Sequence, residues 1–392
     1  MEHRTRRHTG ALPLILLGVF AASSALADSG SESNPLKGVT FEALGYVDYS
    51  AGQTPLAEGL ETDYNRFMLT RGYFTFKKKV NDWMSVRITM DIHQDETGAY
   101  NRRDKYYYAE LKPPDAGFLT HMTSEIGVGH MPWLDFEEHV NPYRCQGTMP
   151  MERAGTFNSA DAGISLRGYF GEAMEDAAEK TGNSHYAGRY GSWHLGIYNG
   201  GGYHASEANE NKVAEGRITI RPLPDIIPGL QFSYLGIFGK GNVAPQSSIP
   251  DYQVNLGMVS YEHPQVVATA QVFMTEGNAK GTWVTPEGDA LKTLGYSAFG
   301  NVKLPGMENR LSAFGRVDYF DSDADDVYSD QTTYTMVIGG VAFSVHKGNL
   351  VMLVFETTDY GADFGVGKGR LPVIGAGAGN DQKVQVVYQI KI

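Results

Sequence analysis

The chain closes with KVQVVYQIKI, in which Val384, Val386, Tyr388, Ile390 and Ile392 share one face and Lys383, Gln385, Gln389 and Lys391 the other, with Val387 among them. A repeat of two is a strand signal, because successive side chains of a strand point to opposite sides. The same alternation returns along the chain. Phe41, Ala43, Gly45, Val47 and Tyr49 oppose Thr40, Glu42, Leu44, Tyr46 and Asp48. Val86, Ile88, Met90 and Ile92 oppose Ser85, Arg87, Thr89 and Asp91, and Leu311, Ala313, Gly315, Val317 and Tyr319 oppose Ser312, Phe314, Arg316 and Asp318. One apolar face over about ten residues is what a tilted strand needs to cross a bilayer.

Sixteen such segments can be traced, from 39–50 to 383–392. Short connections (79–82, 262–264, 304–308, 346–348) alternate with long ones (51–63, 132–158, 276–291, 321–330, 359–382). An even strand number with short turns on one rim and long loops on the other predicts an all-β fold. It would be a transmembrane antiparallel β-barrel of about 16 strands. Residues 171–190 are a long connection on the short-turn side, so they are either an enlarged turn or a sign of a miscounted strand. The non-apolar faces read as polar on nearly every strand, which predicts a wet interior. The 47 glycines and 23 tyrosines suit such a barrel better than a soluble sandwich.

The N-terminus carries Arg4, Arg6 and Arg7, then the apolar run ALPLILLGVFAA, then Ala25-Leu26-Ala27. This is the layout of a secretory signal peptide, and the run is too short to span a membrane as a helix. The expected organisation is a signal peptide over 1–27 and a barrel over 28–392, placed in the outer membrane of a Gram-negative bacterium. Cleavage there removes three Arg and one Glu and takes the net charge from −12 to −14. An acidic chain of this kind lacks the basic footprint of a nucleic-acid partner. Cys145 is the single cysteine, so no internal disulfide, haem attachment pair or cysteine metal site is expected, and no cofactor.

No catalytic motif appears: there is no GxSxG and no HExxH, so an enzyme is not expected. Glu137-Glu138-His139 reads as a polar loop. Asp321–Asp326 resembles the start of a calcium loop but lacks its glycine and closing glutamate, so it reads as a solvated acidic loop. The remaining candidates line a channel. Arg71, Arg87, Arg167, Arg217, Arg221 and Arg316 fall on the non-apolar phase, with Lys112 beside them. Facing lipid at the bilayer midplane, an arginine would cost about 2–4 kcal/mol, so these point inward. They can guide anions, or pair with the inward Asp91, Glu110, Asp161, Glu215, Asp318 and Glu356 to stiffen the wall; the residues leave both open. The loop 132–158 is the candidate to fold inward and narrow the pore. It carries Asp135, Glu137, Glu138 and Glu152 with Arg144 and Arg153.

The stretch GVGHMPWLDFEEH (127–139), followed by Met151-Glu152-Arg153-Ala154, SADAGISLRGYFG (159–171) and LGIYNGGG (195–202), resembles the phosphate-selective porins of the O/P type. That resemblance implies a 16-stranded, homotrimeric, anion-preferring porin with arginines along the conduction path. Its solutes would be small inorganic oxyanions such as phosphate, sulfate, arsenate or selenite. Two alternatives stay open. One is a general diffusion porin for small polar solutes, in which loop acids oppose wall arginines. The other is a barrel sheath around a separate electron-transfer partner.

Overall fold

The computed structural model describes residues 36–55, 61–94, 97–245, 248–365, 372 and 379–392. The expected signal peptide lies outside the described residues. From Val39 onward the chain forms one closed sheet of sixteen antiparallel strands. In chain order they are β1 (Val39–Pro55), β2 (Glu61–Lys79), β3 (Met84–Gln94), β4 (Tyr100–Leu111), β5 (Leu119–His130) and β6 (Ala160–Phe170). Then come β7 (Gly191–Tyr198), β8 (Val213–Ile220), β9 (Leu230–Lys240), β10 (Asp251–His263) and β11 (Val266–Glu276). The last five are β12 (Lys292–Lys303), β13 (Leu311–Asp321), β14 (Thr333–His346), β15 (Asn349–Tyr360) and β16 (Asn380–Lys391). β16 closes on β1 with Tyr388 opposite Val47 and Ile390 opposite Gly45, so no sheet edge is left open.

The pleat sorts the side chains as the alternation predicts. Val384, Val386 and Tyr388 are exposed on the outer surface, while Gln385 and Val387 are buried inside. The outer surface carries Ile164, Ile197, Phe232, Val272, Val317, Leu353 and Phe355, all exposed. Aromatic pairs mark both ends of this belt. Phe41–Phe76 (5.4 Å) and Phe118–Tyr190 (5.6 Å) stand at the rim where β1 begins, and Tyr49–Phe67 (4.9 Å) and Tyr296–Tyr319 (4.7 Å) toward the other. An apolar band between aromatic girdles matches a bilayer and its two interfaces.

The near rim, where β1 begins, has tight turns where the sequence allows them. Lys347 and Gly348 both have positive φ (45° and 82°), which is what a two-residue hairpin requires. Residues 171–190 belong to this rim: the strand count stands, and the segment is an enlarged turn built around a short helix, α3 (Ala177–Thr181).

The expected wet interior is corrected on one side. The inward faces of β9 to β15 carry Leu235, Ile237, Val254, Leu256, Met258, Phe273, Met336, Ile338, Met352 and Val354, all nearly inaccessible. They pack against the β5–β6 loop, which folds into the lumen as α1 (Leu134–Val140), a 3₁₀ turn (Arg144–Gln146) and α2 (Pro150–Ala154). Trp133, Phe136, Met149 and Met151 of the loop are fully buried in this core. Each contributes about 2 kcal/mol by leaving water. Polar ties fix the register. Tyr143 Oη lies 2.5 Å from Ser312 Oγ, Tyr252 Oη donates to the Thr156 carbonyl (3.1 Å), and Gln271 Nε2 donates to Glu137 Oε1 (2.8 Å). With the loop packed on that side, the open path runs off-centre, along β1 to β6 and β16 and, toward the far rim, past β13 to β15.

Candidate permeation pathway

Two cavities follow that path. The outer vestibule, toward the far rim, has a volume of about 380 Å³, and the inner one about 430 Å³. Tyr46 of β1 and Arg144 of the loop border both, so they frame the passage between them. Arg144 is held from behind by loop carboxylates, Nε to Glu138 at 2.9 Å and Nη2 to Glu152 at 2.9 Å. Asp135 and Glu138 border the inner vestibule; Glu137 turns away from it into the loop–wall interface, where Trp133 Nε1 also donates to it (2.8 Å). Glu137 to His139 are therefore part of a helix, with Glu137 buried.

The wall arginines divide into groups. Arg71 pairs with Asp91 (2.7 Å), Arg153 with Glu356 (3.1 Å), and Arg167 with Glu125 (2.5 Å) and Glu110 (3.3 Å). Arg217, Arg221 and Arg316 point into the barrel as their phase requires, but are enclosed away from both vestibules. Arg217 lies over the Phe136 ring at 4.3 Å, Arg221 donates to the Gly188 carbonyl at 2.6 Å, and Arg316 grips Asp318 at 2.5 Å. Lys112 is exposed at the near rim, beside a pocket that it lines with Glu110, His121 and Arg167. The acidic run 321–326 closes its own loop, with buried Asp323 accepting from the amides of Val327 (3.0 Å) and Tyr328 (2.6 Å).

Arg87 differs. Its guanidinium lies 4.7 Å over the Tyr106 ring and donates to Thr89 Oγ1 at 3.0 Å. Lys105 joins it, its Nζ 5.0 Å from the Tyr73 ring and 5.3 Å from that of Tyr106. Among the described residues neither makes an ion pair with a carboxylate. Lys105 escaped the sequence reading because its number puts it on the lipid phase. A β-bulge changes that: Thr89 pairs with Tyr106 and Met90 with Asp104, leaving Lys105 as the extra residue, so Lys105 and Tyr106 both turn inward. The one available signal was the slip in alternation from Arg103 to Tyr106.

The enlarged turn 171–190 also contributes to the site. It reaches up to the loop. Asn183 Nδ2 donates to the His139 carbonyl (3.0 Å), Tyr186 Oη donates to Asp135, and the His185 and His139 rings lie 3.8 Å apart. His185 and His139 also face Asp135, Glu42, Lys77 and Lys391 around the inner vestibule. Burial, then the neighbouring His139, lowers the pKa of His185 below the usual 6.5. A base whose folded pKa is depressed contributes full stability above its unfolded value and loses it as pH falls below about 6.5. Acidification to pH 5 should loosen this contact, increasing protease cleavage within 171–190, and His185→Phe should abolish that acid effect.

No protein-family model matches the sequence, and no curated protein matches it. Solved structures do match in shape. An anion-selective porin from Comamonas acidovorans aligns with a TM-score of 0.60 at 12% identity, over 90% of this chain and 100% of that one. OmpF of Salmonella typhi, in complex with daunomycin, aligns with a TM-score of 0.55 at 9% identity, over 90% and 97%. The outer membrane channel DcaP of Acinetobacter baumannii aligns with a TM-score of 0.52 at 11% identity, over 93% and 100%. At such identities the likeness is one of fold: a porin-type sixteen-stranded barrel.

Proposed function

We propose that this chain is an outer-membrane porin of a Gram-negative bacterium, exported by the segment 1–27. Its barrel, assembled as a homotrimer, passes small hydrophilic solutes by passive diffusion and favours small inorganic oxyanions. The observation that carries the anion preference is the pair Arg87 and Lys105, two cations beside the inner vestibule without a carboxylate partner among the described residues. Unpaired charge along a water path sets selectivity, whereas paired charge mostly stiffens the wall. The likeness in fold to the anion-selective Comamonas porin and the resemblance to phosphate-selective porins support the same reading.

The test is the reversal potential of the reconstituted chain in planar bilayers under a KCl gradient, followed by competition among phosphate, sulfate and selenite. Anion preference is expected, and Arg87→Ala should lower it about two- to five-fold, the effect of an unpaired wall charge. A cation-selective wild type would overturn the proposal. The pairing of Arg71, Arg144, Arg153 and Arg167 with acids favours the general-porin alternative; that reading requires neutral sugars to permeate as readily as salts.

A further inference from the structure

The outer vestibule has two unlike walls. One is aromatic: Phe364 stacks on Tyr360 (centroids 5.6 Å, 25° between planes), meets Tyr334 edge-on (5.4 Å, 88°), and Tyr334 contacts Phe320 at 5.7 Å. The other is polar. Arg153 Nη1 and Lys383 Nζ both bind the single carboxylate of Glu356, each at 3.1 Å, so this triad carries one net positive charge. Beside it, Gln146 is 1% exposed, yet neither atom of its amide has a hydrogen-bond partner; Arg153 Nε and Gln385 Oε1 are likewise unpartnered. All of these residues border the same 380 Å³ space. Buried polar atoms are seldom left unpaired, and a concave chamber of a few hundred Å³ with an apolar wall and a few convergent polar groups is the form of a small-molecule site.

We propose that the outer vestibule is a binding subsite for an aromatic carboxylate, whose ring lies on the Phe364–Tyr360–Tyr334 wall and whose carboxylate meets Arg153 and the Gln146 amide. The chemistry selects this class. An inorganic oxyanion accepts hydrogen bonds but leaves the aromatic wall unused. A neutral sugar leaves the excess positive charge unused. The free acceptor on Gln385 suits a hydroxyl on the ring, since an amide oxygen can only accept. The inference rests on the chain being an open pore, and it widens the solutes of that pore to organic anions.

The test uses the full chain in planar bilayers, with KCl current titrated by benzoate, by cyclohexanecarboxylate and by inorganic phosphate. Benzoate and cyclohexanecarboxylate match in charge and nearly in size, and only benzoate has a π face. Benzoate should half-block the current at a concentration about five-fold lower than cyclohexanecarboxylate, the ratio that an aromatic contact supplies. Phe364→Ala should erase that gap while leaving the phosphate response unchanged. Tyr360→Leu serves the same purpose if the first variant fails to assemble. Equal block by the two acids in the wild type, or a gap that survives in the assembled variant, overturns the subsite. The reversal potential in KCl alone, taken on the same membranes, reports the anion preference separately.

Discussion

Lys105→Glu should turn the proposed anion preference into a cation preference, measured as a change of sign in the reversal potential under a KCl gradient. Two effects add. The substitution removes one unpaired cation from the inner vestibule, and it places a carboxylate beside the Tyr106 ring that Arg87 also covers, within reach of neutralising that second cation. Of the other lysines and arginines bordering that space, Arg144, Arg167 and Lys77 have acid partners, which leaves Lys391, at the near-rim end of β16, as the one further cation without an ion pair among the described residues. A permeability ratio shifted by about ten-fold is expected where a charge at a narrow wall inverts sign. Lys105→Gln, which removes the charge without reversing it, should give a smaller shift in the same direction. An unchanged reversal potential in Lys105→Glu would mean that the inner vestibule does not govern selectivity.

The second large effect concerns the inward loop and pH. Burial pushes the Glu137 carboxyl up to about 7, against the opposing pull of Gln271, Arg316 and Trp133. A carboxyl whose folded pKa exceeds its ordinary value of 4.5 weakens the fold as pH rises, because the folded state must then hold a buried charge. The weakening begins above the ordinary value and is complete above about 7. It amounts to about 3 kcal/mol, since each ten-fold change in proton affinity corresponds to about 1.36 kcal/mol. The loop should therefore hold most firmly near pH 4.5 and be fully loosened by about pH 8, seen as faster proteolysis near Asp135–Arg153 and noisier single-channel current. Glu137→Gln should remove the alkaline loosening. Its amide oxygen still accepts from Trp133, and its NH₂ can donate to the unpartnered Oε1 of Gln271 once that amide turns. Alkaline loosening that persists in the variant would place its cause elsewhere.

This alkaline effect runs opposite to the acid effect at His139 and His185. The loop is held on one flank by a buried acid and on the other by two imidazoles whose rings meet at 41°; the first weakens as pH rises from about 4.5 to 7 and the second as pH falls below about 6.5, so the two losses overlap between those values.

Much of the architecture was readable from residue order because a membrane barrel obeys a local rule. Each strand must present an apolar face to lipid, and a strand's side chains alternate whatever their neighbours are. KVQVVYQIKI could thus be assigned its outward Val384, Val386 and Tyr388 without knowing that it closes on β1. The inward phase of Arg71, Arg87 and Arg167 followed from the same cost. What alternation could not convey was which inward residues meet water. Leu235, Ile237, Met336 and Ile338 share the inward phase with Arg87, yet they form a dry core because the loop 131–159 chooses that side of the lumen to pack against. The same choice encloses Arg217 and Arg316 and leaves Arg87 beside the open path.

The sequence by itself determined the strand number, the closed sheet and the lipid-facing belt, since these depend on period and length alone. Only the tertiary structure decided the pore. A single extra residue turned Lys105 inward, a near-rim turn rose to meet His139, and a loop packed against one side of the lumen. The first left only a slip in alternation in the sequence; the other two depend on contacts between residues far apart in the chain, which no local period records.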